Sequence, residues 1–171
     1  VLGTPQGLSV YLDGVRVNES FGDVVNWDLI PRAAIARVDL MPGSNPVFGL
    51  NTLGGALSIQ TKNGRQFPGA SIEASGGSFG RSEVNFEMGG ALERWDGFLA
   101  GTYASDNGWA DHNSSTVRQL FGKVGWQDAR TSLQASLNFA DNTLEGNETI
   151  PLSFLDDFRQ AYTFPDRNTN K

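Results

Sequence analysis

Cysteine is absent from the 171 residues and histidine occurs once, at His112. Without thiols there is neither a disulfide framework nor a thiolate metal site, and the redox compartment stays open. A lone histidine in the polar stretch DNGWADHNSS forms neither a triad nor a His-based metal site without a positioned partner. The adjacent carboxylates Asp156 and Asp157 carry no acid-base geometry by adjacency alone. Neither a phosphate-binding GxxxxGK[ST] loop nor a dinucleotide fingerprint is present, so the sequence supports no enzyme and no cofactor. Cations are also scarce: 13 Lys and Arg stand against 19 Asp and Glu, a net charge of -6. With no basic patch, a nucleic-acid partner is excluded. No apolar run reaches the ~18 residues of a membrane-spanning helix, and nothing at the start reads as a signal peptide. The opening VLGTPQGLSVYLDG runs straight into a strand pattern, which leads us to expect a piece of a longer protein.

What is abundant is glycine, 21 residues, against a usual ~7%. It is spread among alternating apolar and polar residues, a pattern of many short strands and tight turns. With 39% hydrophobic residues the chain has enough apolar mass for a core. From Leu8 to Lys62 the texture is mixed. LSVYLDGVRVN reads as a hairpin turning at Asp13-Gly14, and WDLIPRAAIARVDLM offers a short helix around Pro31 to Ile35 and then a strand near Ala36 to Met41. MPGSNPVFGLNTLGG packs glycine and proline before a strand, ALSIQT. The result is a small α+β unit with a contorted connection.

From Ala70 the chain reads as strand after strand. In TSLQASLNFA, Leu133, Ala135, Leu137 and Phe139 alternate with Ser132, Gln134, Ser136 and Asn138, so one face is apolar and the other polar. Val84, Phe86 and Met88 alternate likewise with Glu83, Asn85 and Glu87. In QLFGKVGW, Leu120, Val124 and Trp126 share one face with Lys123 on the other, whereas FLAGTYAS does not choose a face. Such strands suit either a soluble sandwich, apolar face inward, or an outer-membrane barrel, apolar face to lipid. Connection lengths lean to the barrel: ALERWD and QDAR are short on one side, while on the other SDNGWADHNSSTV and the stretch after Asp141 are long, the tight GSFG excepted. Trp95 and Trp126 fall at the short-turn ends and Phe79, Tyr103 and Phe139 near the other ends, as in the aromatic girdles of a membrane boundary.

The ordered run VYLDGVRVN, IPRAAIARVDLMPG and FGLNTLGGALSIQTK resembles the second half of the plug domain of TonB-dependent outer-membrane receptors and transporters. Tyr11, Asp13, Gly14, Pro31, Ile35, Arg37, Val38, Asp39, Gly43, Phe48, Gly49, Gly54, Gly55, Ile59, Thr61 and Lys62 occupy the places of the family pattern. Three departures stand out: Asp39 replaces the usual Glu, Pro42 the frequent Arg, and the Gly43 to Gly49 turn is one residue shorter than the commonest form. The resemblance implies a mainly β fold, a fragment of a plugged transmembrane antiparallel β-barrel. Residues 1-66 would be the C-terminal part of the plug and 67-171 the start of the barrel, with strands near 70-77, 82-90, 97-105, 117-126 and 131-141 and an outer loop over 142-171. Such barrels have about 22 strands, so five cannot close one.

By the same resemblance the chain serves TonB-dependent uptake of a scarce nutrient: siderophore-iron, cobalamin or an oligosaccharide. The implied partners are that small-molecule cargo, outer-membrane lipid, and the TonB-ExbB-ExbD complex, reached through a plug N-terminus that these residues lack. The loop NESFGDVVN resembles the plug apex, which makes Glu19, Ser20, Phe21 and Gly22 candidate cargo contacts. Trp109, Asp111 and His112 are weaker candidates in the second outer loop, and Arg37 and Asp39 are candidate charged anchors of plug to barrel. The rival is a soluble or surface β-rich ligand-binding module, for instance a carbohydrate-binding sandwich, in which the apolar strand faces would pack on one another.

Overall fold

The computed structural model describes residues 7-20, 24-43, 46-49, 52-148, 159, 162-163 and 167-170. The leading unit is a four-stranded sheet of β1 (Leu8–Leu12), β2 (Val15–Arg16), β3 (Ile35–Pro42) and β4 (Gly55–Thr61), in the order β2-β1-β4-β3. The hairpin between β1 and β2 turns at Asp13 and Gly14 with φ of 49° and 85°, the left-handed pair that matches strand twist and that Asp-Gly adopts readily. β1 runs parallel to β4, so the chain must cross over between them. The contorted stretch makes that return: Tyr11 donates its hydroxyl hydrogen bond to the Phe48 carbonyl at 2.5 Å, and Gly54 N–H donates to Gly7 O at 2.7 Å. At Gly55, with φ of 122°, a Cβ would lie 2.4 Å from the Met41 carbonyl oxygen, so only glycine fits there. Val10, Val25, Ile30 and Ile59 form the buried core of this unit.

The expected short helix is instead two single turns of 3₁₀ helix, Trp27–Leu29 and Arg32–Ala34, followed directly by β3. The segment is too short to repay α-helical nucleation. Its carbonyls bond elsewhere, Ala34 O to the Lys62 N–H at 2.8 Å and Asp28 O and Leu29 O to side chains of the second sheet.

That second sheet contains β5 (Gly69–Gly76), β6 (Ser82–Leu92), β7 (Trp95–Asp106), β8 (Ser115–Gln127) and β9 (Ser132–Leu144), consecutive antiparallel neighbours, with β12 (Arg167–Asn170) beyond β9. A further two-residue pair joins β10 (Asn147–Glu148) to β11 (Tyr162–Thr163). The strands continue past the stretches of clean alternation because their ladders persist, from Leu92↔Trp95 at one end of the β6-β7 pair to Ser82↔Ser105 at the other. The expected outer loop at 142-171 overlaps the end of β9 and includes β12, and most of 149-166 lies outside the described residues.

Leu133, Leu137, Val124 and Met88 are 51 to 75% exposed. Among the described residues no second layer covers them, as a sandwich would require. The opposite face of the sheet is the one that is covered, by the leading unit.

Candidate functional site

The contact between the leading unit and the sheet is built from side chains that point inward from β6 to β9. Strand alternation carries Phe98, Ala100 and Thr102 of β7 to this face, level with Lys123, Phe121 and Gln119 of β8. Ala34, in its 3₁₀ turn, is 1% exposed and packs in a cluster with Phe98, Ala100 and Phe121. The rings of Phe98 and Phe121 lie 6.5 Å apart in a tilted pair. This explains why FLAGTYAS chooses no face: Leu99 and Tyr103 point out, but the inner face meets an apolar patch of the leading unit and is apolar too.

Beside that cluster sits a charged tie. Lys123, 5% exposed, donates to Asp13 Oδ2 and to Thr61 Oγ1, each at 3.0 Å. Thr61 donates its N–H to Asp13 Oδ1 at 2.9 Å and its hydroxyl to Asp13 Oδ2 at 2.5 Å. One carboxylate therefore joins the hairpin tip, the end of β4 and the wall. Burial opposes ionisation of Asp13, but the Thr61 hydroxyl and amide and the Lys123 ammonium outweigh it and hold the carboxyl below its usual value of 3.8. The sign follows from linkage. A depressed folded pKa means that the stabilisation is complete above 3.8 and is lost as pH falls through the lower folded value. We expect amide exchange at Thr61 to accelerate only below about pH 4, after correction for intrinsic rates, and this acid step to vanish when Asp13 is replaced by Asn.

Further ties flank this one. Lys62 pairs with Glu87 of β6 and lies 5.5 and 6.0 Å from the Phe67 and Phe98 ring centres. Gln119 donates to Asp28 O, Asn138 to Leu29 O, and Asn142 to Asp28 O at 3.1 Å. Asn142, 1% exposed, also accepts the Arg118 N–H at 3.1 Å. Asn142→Ala would take the side-chain acceptor from the Arg118 N–H and one of the two donors from Asp28 O, and is expected to cost about 1–2 kcal/mol in a denaturant melt of the intact protein.

The leading unit joins β5 through residues 62-68. There Gly64 approaches the sheet so closely that a Cβ would lie 2.1 Å from Gly97 O and 2.2 Å from Gly90 O. Arg65 donates to Glu93 O at 3.0 Å. The tie of Asp13, this linker and the short turns at 93-94 and 128-131 share one end of the sheet.

The sequence-predicted cargo residues that the structure describes lie at the other end. Glu19 and Ser20 are exposed and follow Asn18, whose side chain bonds Val10 N–H at 2.7 Å and Leu8 O at 3.0 Å, away from Asp13 along β1. Glu19 accepts from the Asn26 amide at 2.5 Å. Phe21 and Gly22 lie outside the described residues. Trp109 is 52% exposed, Asp111 N–H bonds Arg159 O at 2.8 Å, and His112 has φ of 55°, all in the connection between β7 and β8. Arg37 and Asp39 bond each other at 2.7 Å with side chains 68 and 31% exposed. Their geometry is that of a pair on one strand, two residues apart on the same face, whereas the described polar ties to the wall run through Asp13, Asp28, Leu29, Thr61 and Lys62.

Sequence reasoning read Asp13 as a turn residue and a place in the family pattern, and Lys123 only as a marker of the polar face, without joining the two. The available signal was a lysine set among small and apolar residues on a face that the alternation turns inward.

No family model matches the chain. It is 33% identical over 123 residues to the ferric aerobactin receptor of Klebsiella pneumoniae, which covers 68% of the chain and 16% of that receptor. It is 30% identical over 100 residues to the rhizobactin receptor of Rhizobium meliloti, 53% of the chain and 13% of the relative. The chain thus spans less than a fifth of the length of these curated relatives. Among solved structures, the pyoverdine outer membrane receptor FpvA of Pseudomonas aeruginosa, bound to pyoverdine, superposes with a TM-score of 0.66 at 18% identity, over 81% of this chain and 21% of that one.

Proposed function

We propose, from the premise that this chain belongs to the TonB-dependent outer-membrane receptors, that it supplies the plug half and first wall strands of a siderophore-iron importer. The observation that carries the reading is the two-faced wall. Leu133, Leu137 and Phe139 are exposed outward, while Asn138, Ala140 and Asn142, between and beyond them on the same strand, face the plug. Trp95 pairs across strands with Trp126 at the short-turn end, and Tyr103 stands eight residues further along β7. Eight residues span about 27 Å of strand, or about 20 Å of membrane depth at a ~45° tilt, close to the ~25 Å apolar band of such barrels.

Aerobactin and rhizobactin, named for the relatives' receptors, favour a siderophore over cobalamin or an oligosaccharide as cargo. Glu19, Ser20, Phe21 and Gly22, with Trp109, Asp111 and His112, are the cargo contacts in this reading, and Glu19, Ser20, Trp109, Asp111 and His112 lie on the side of the wall away from the short periplasmic turns. The TonB-ExbB-ExbD complex would act through plug residues that precede these, and the ties of Asp13, Lys62 and Asn142 are what its action must loosen. Arg37 and Asp39 remain proposed anchors toward wall strands beyond these five. In a strain lacking other receptors, the intact gene should restore growth on a ferric siderophore and uptake of radiolabelled iron that stops when the proton gradient is collapsed. Gradient-independent uptake, or none with any siderophore, contradicts the proposal.

A further inference from the structure

The outward face of the wall is not uniformly filled. Reading across strands, Met88, Leu99, Gly122 and Leu137 form one row, Gly90, Gly97, Val124 and Ala135 the next, and Leu92, Trp95, Trp126 and Leu133 the last. The middle row is low. Between its neighbours lies a shallow apolar trough of about 740 Å³, floored by Gly90, Gly97 and Gly122 and walled by Met88, Val124 and Leu137. Crossing four strands ~4.8 Å apart, it is about 15 Å long.

On the outward face no neighbour requires glycine at the floor. None of the three has a left-handed φ, a Cβ at Gly90 or Gly97 would meet nothing within 4 Å, and at Gly122 only Leu99 Cδ1 at 3.9 Å. Elsewhere on this face the reason is visible: at Gly101 the Phe86 ring lies over the backbone, 2.3 Å from where a Cβ would sit. Glycine inside a strand often marks a close approach; Gly64 makes one to Gly90 and Gly97 from the plug side, and the outward side of these two and of Gly122 stays open.

We propose that this trough holds one acyl chain of a glycerophospholipid from the periplasmic leaflet, with its phosphate between Arg94 and Arg130. Two observations select that occupant. The trough continues the lipid-facing belt directly above the Trp95–Trp126 pair, at the depth where acyl chains begin. The turns just below it carry Arg94 and Arg130, both exposed, next to exposed Glu93. Phosphate oxygens accept from guanidinium groups in a fixed fork geometry. The inference rests on the membrane reading above.

The test is native mass spectrometry of the intact receptor, extracted in mild detergent and offered phosphatidylethanolamine and phosphatidylglycerol. The expected result is one phospholipid that survives collisional activation, lost in Gly97→Leu, which fills the trough. It should also be lost in the Arg94→Glu, Arg130→Glu double variant, which leaves the trough and its packing untouched and so covers the case of a misfolded leucine variant. A retained lipid indifferent to both variants overturns the proposal, as does a receptor that needs detergent yet retains no lipid. A receptor dimer broken by Gly97→Leu would show the trough to be a protein interface and overturn it too. A receptor soluble without detergent would instead overturn the membrane reading beneath it.

Discussion

Replacing Asp13 by Asn in the intact receptor is expected to free the hairpin tip from the wall at a cost of about 3 kcal/mol. Lys123 is 5% exposed and would lose the carboxylate it bonds, and breaking a buried pair in this way costs roughly 3–5 kcal/mol. The Asp13 side chain is 24% exposed, which places the expectation at the lower end. Asn tolerates the left-handed φ of 49° as Asp does, so backbone strain does not enter. At ~1.4 kcal/mol per tenfold, amide exchange at Thr61 and its β4 neighbours should quicken about a hundredfold. The converse change, Lys123→Met, should cost less, because Asp13 keeps both Thr61 hydrogen bonds and some access to water. Adding Lys123→Met to Asp13→Asn should therefore recover part of the loss. Equal, additive losses would show that the two groups do not act as a pair.

Gly64→Ala is expected to be as damaging by a different route. Its Cβ would stand 2.1 Å from Gly97 O, 2.2 Å from Gly90 O and 2.7 Å from Gly97 N. These are backbone atoms, and the Gly90↔Gly97 and Gly97↔Val124 pairings hold Gly97 on both sides and Gly90 on one, so the wall resists yielding. The linker must move out instead, and the neighbouring Lys62–Glu87 and Arg65–Glu93 contacts go with it. We expect about 3 kcal/mol, the upper end for overpacking, seen as tryptic cleavage at Arg65 in the folded, detergent-solubilised receptor. Gly90→Ala, whose Cβ meets nothing within 4 Å, is the control and should stay within about 0.5 kcal/mol. Resistance to trypsin in Gly64→Ala would refute the close approach.

The contrast between these glycines shows what the sequence could and could not disclose. Strict alternation in TSLQASLNFA made β9 and its two faces legible, because a period of two has one structural reading. The Asp13-Gly14 turn was legible for the same kind of reason, a local conformation that few residues adopt. The order of the plug motifs carried the family. Partnership across sequence was not legible. Asp13 and Lys123 lie 110 residues apart, and nothing in either segment announces the other. Ala34 looked like helix because alanine favours it, yet its turn is shaped by the Phe98 and Phe121 rings it packs against. The cargo residues were assigned by resemblance, and Glu19, Ser20, Trp109, Asp111 and His112 lie toward one end of the wall.

The central claim, that the alternating strands face lipid on one side and the plug on the other, is tested most directly by spin labels at Ser136, Leu137, Asn138 and Phe139. This chain has no cysteine of its own, so single cysteines can be introduced into the intact receptor, freed of any others and reconstituted in liposomes. Labels at Leu137 and Phe139 should collide readily with dissolved oxygen and little with a water-soluble nickel chelate. Labels at Ser136 and Asn138 should show low oxygen collision, giving a period of two residues. Uniform collision rates along the strand, or labels at Leu137 and Phe139 sealed from both reagents, would contradict it.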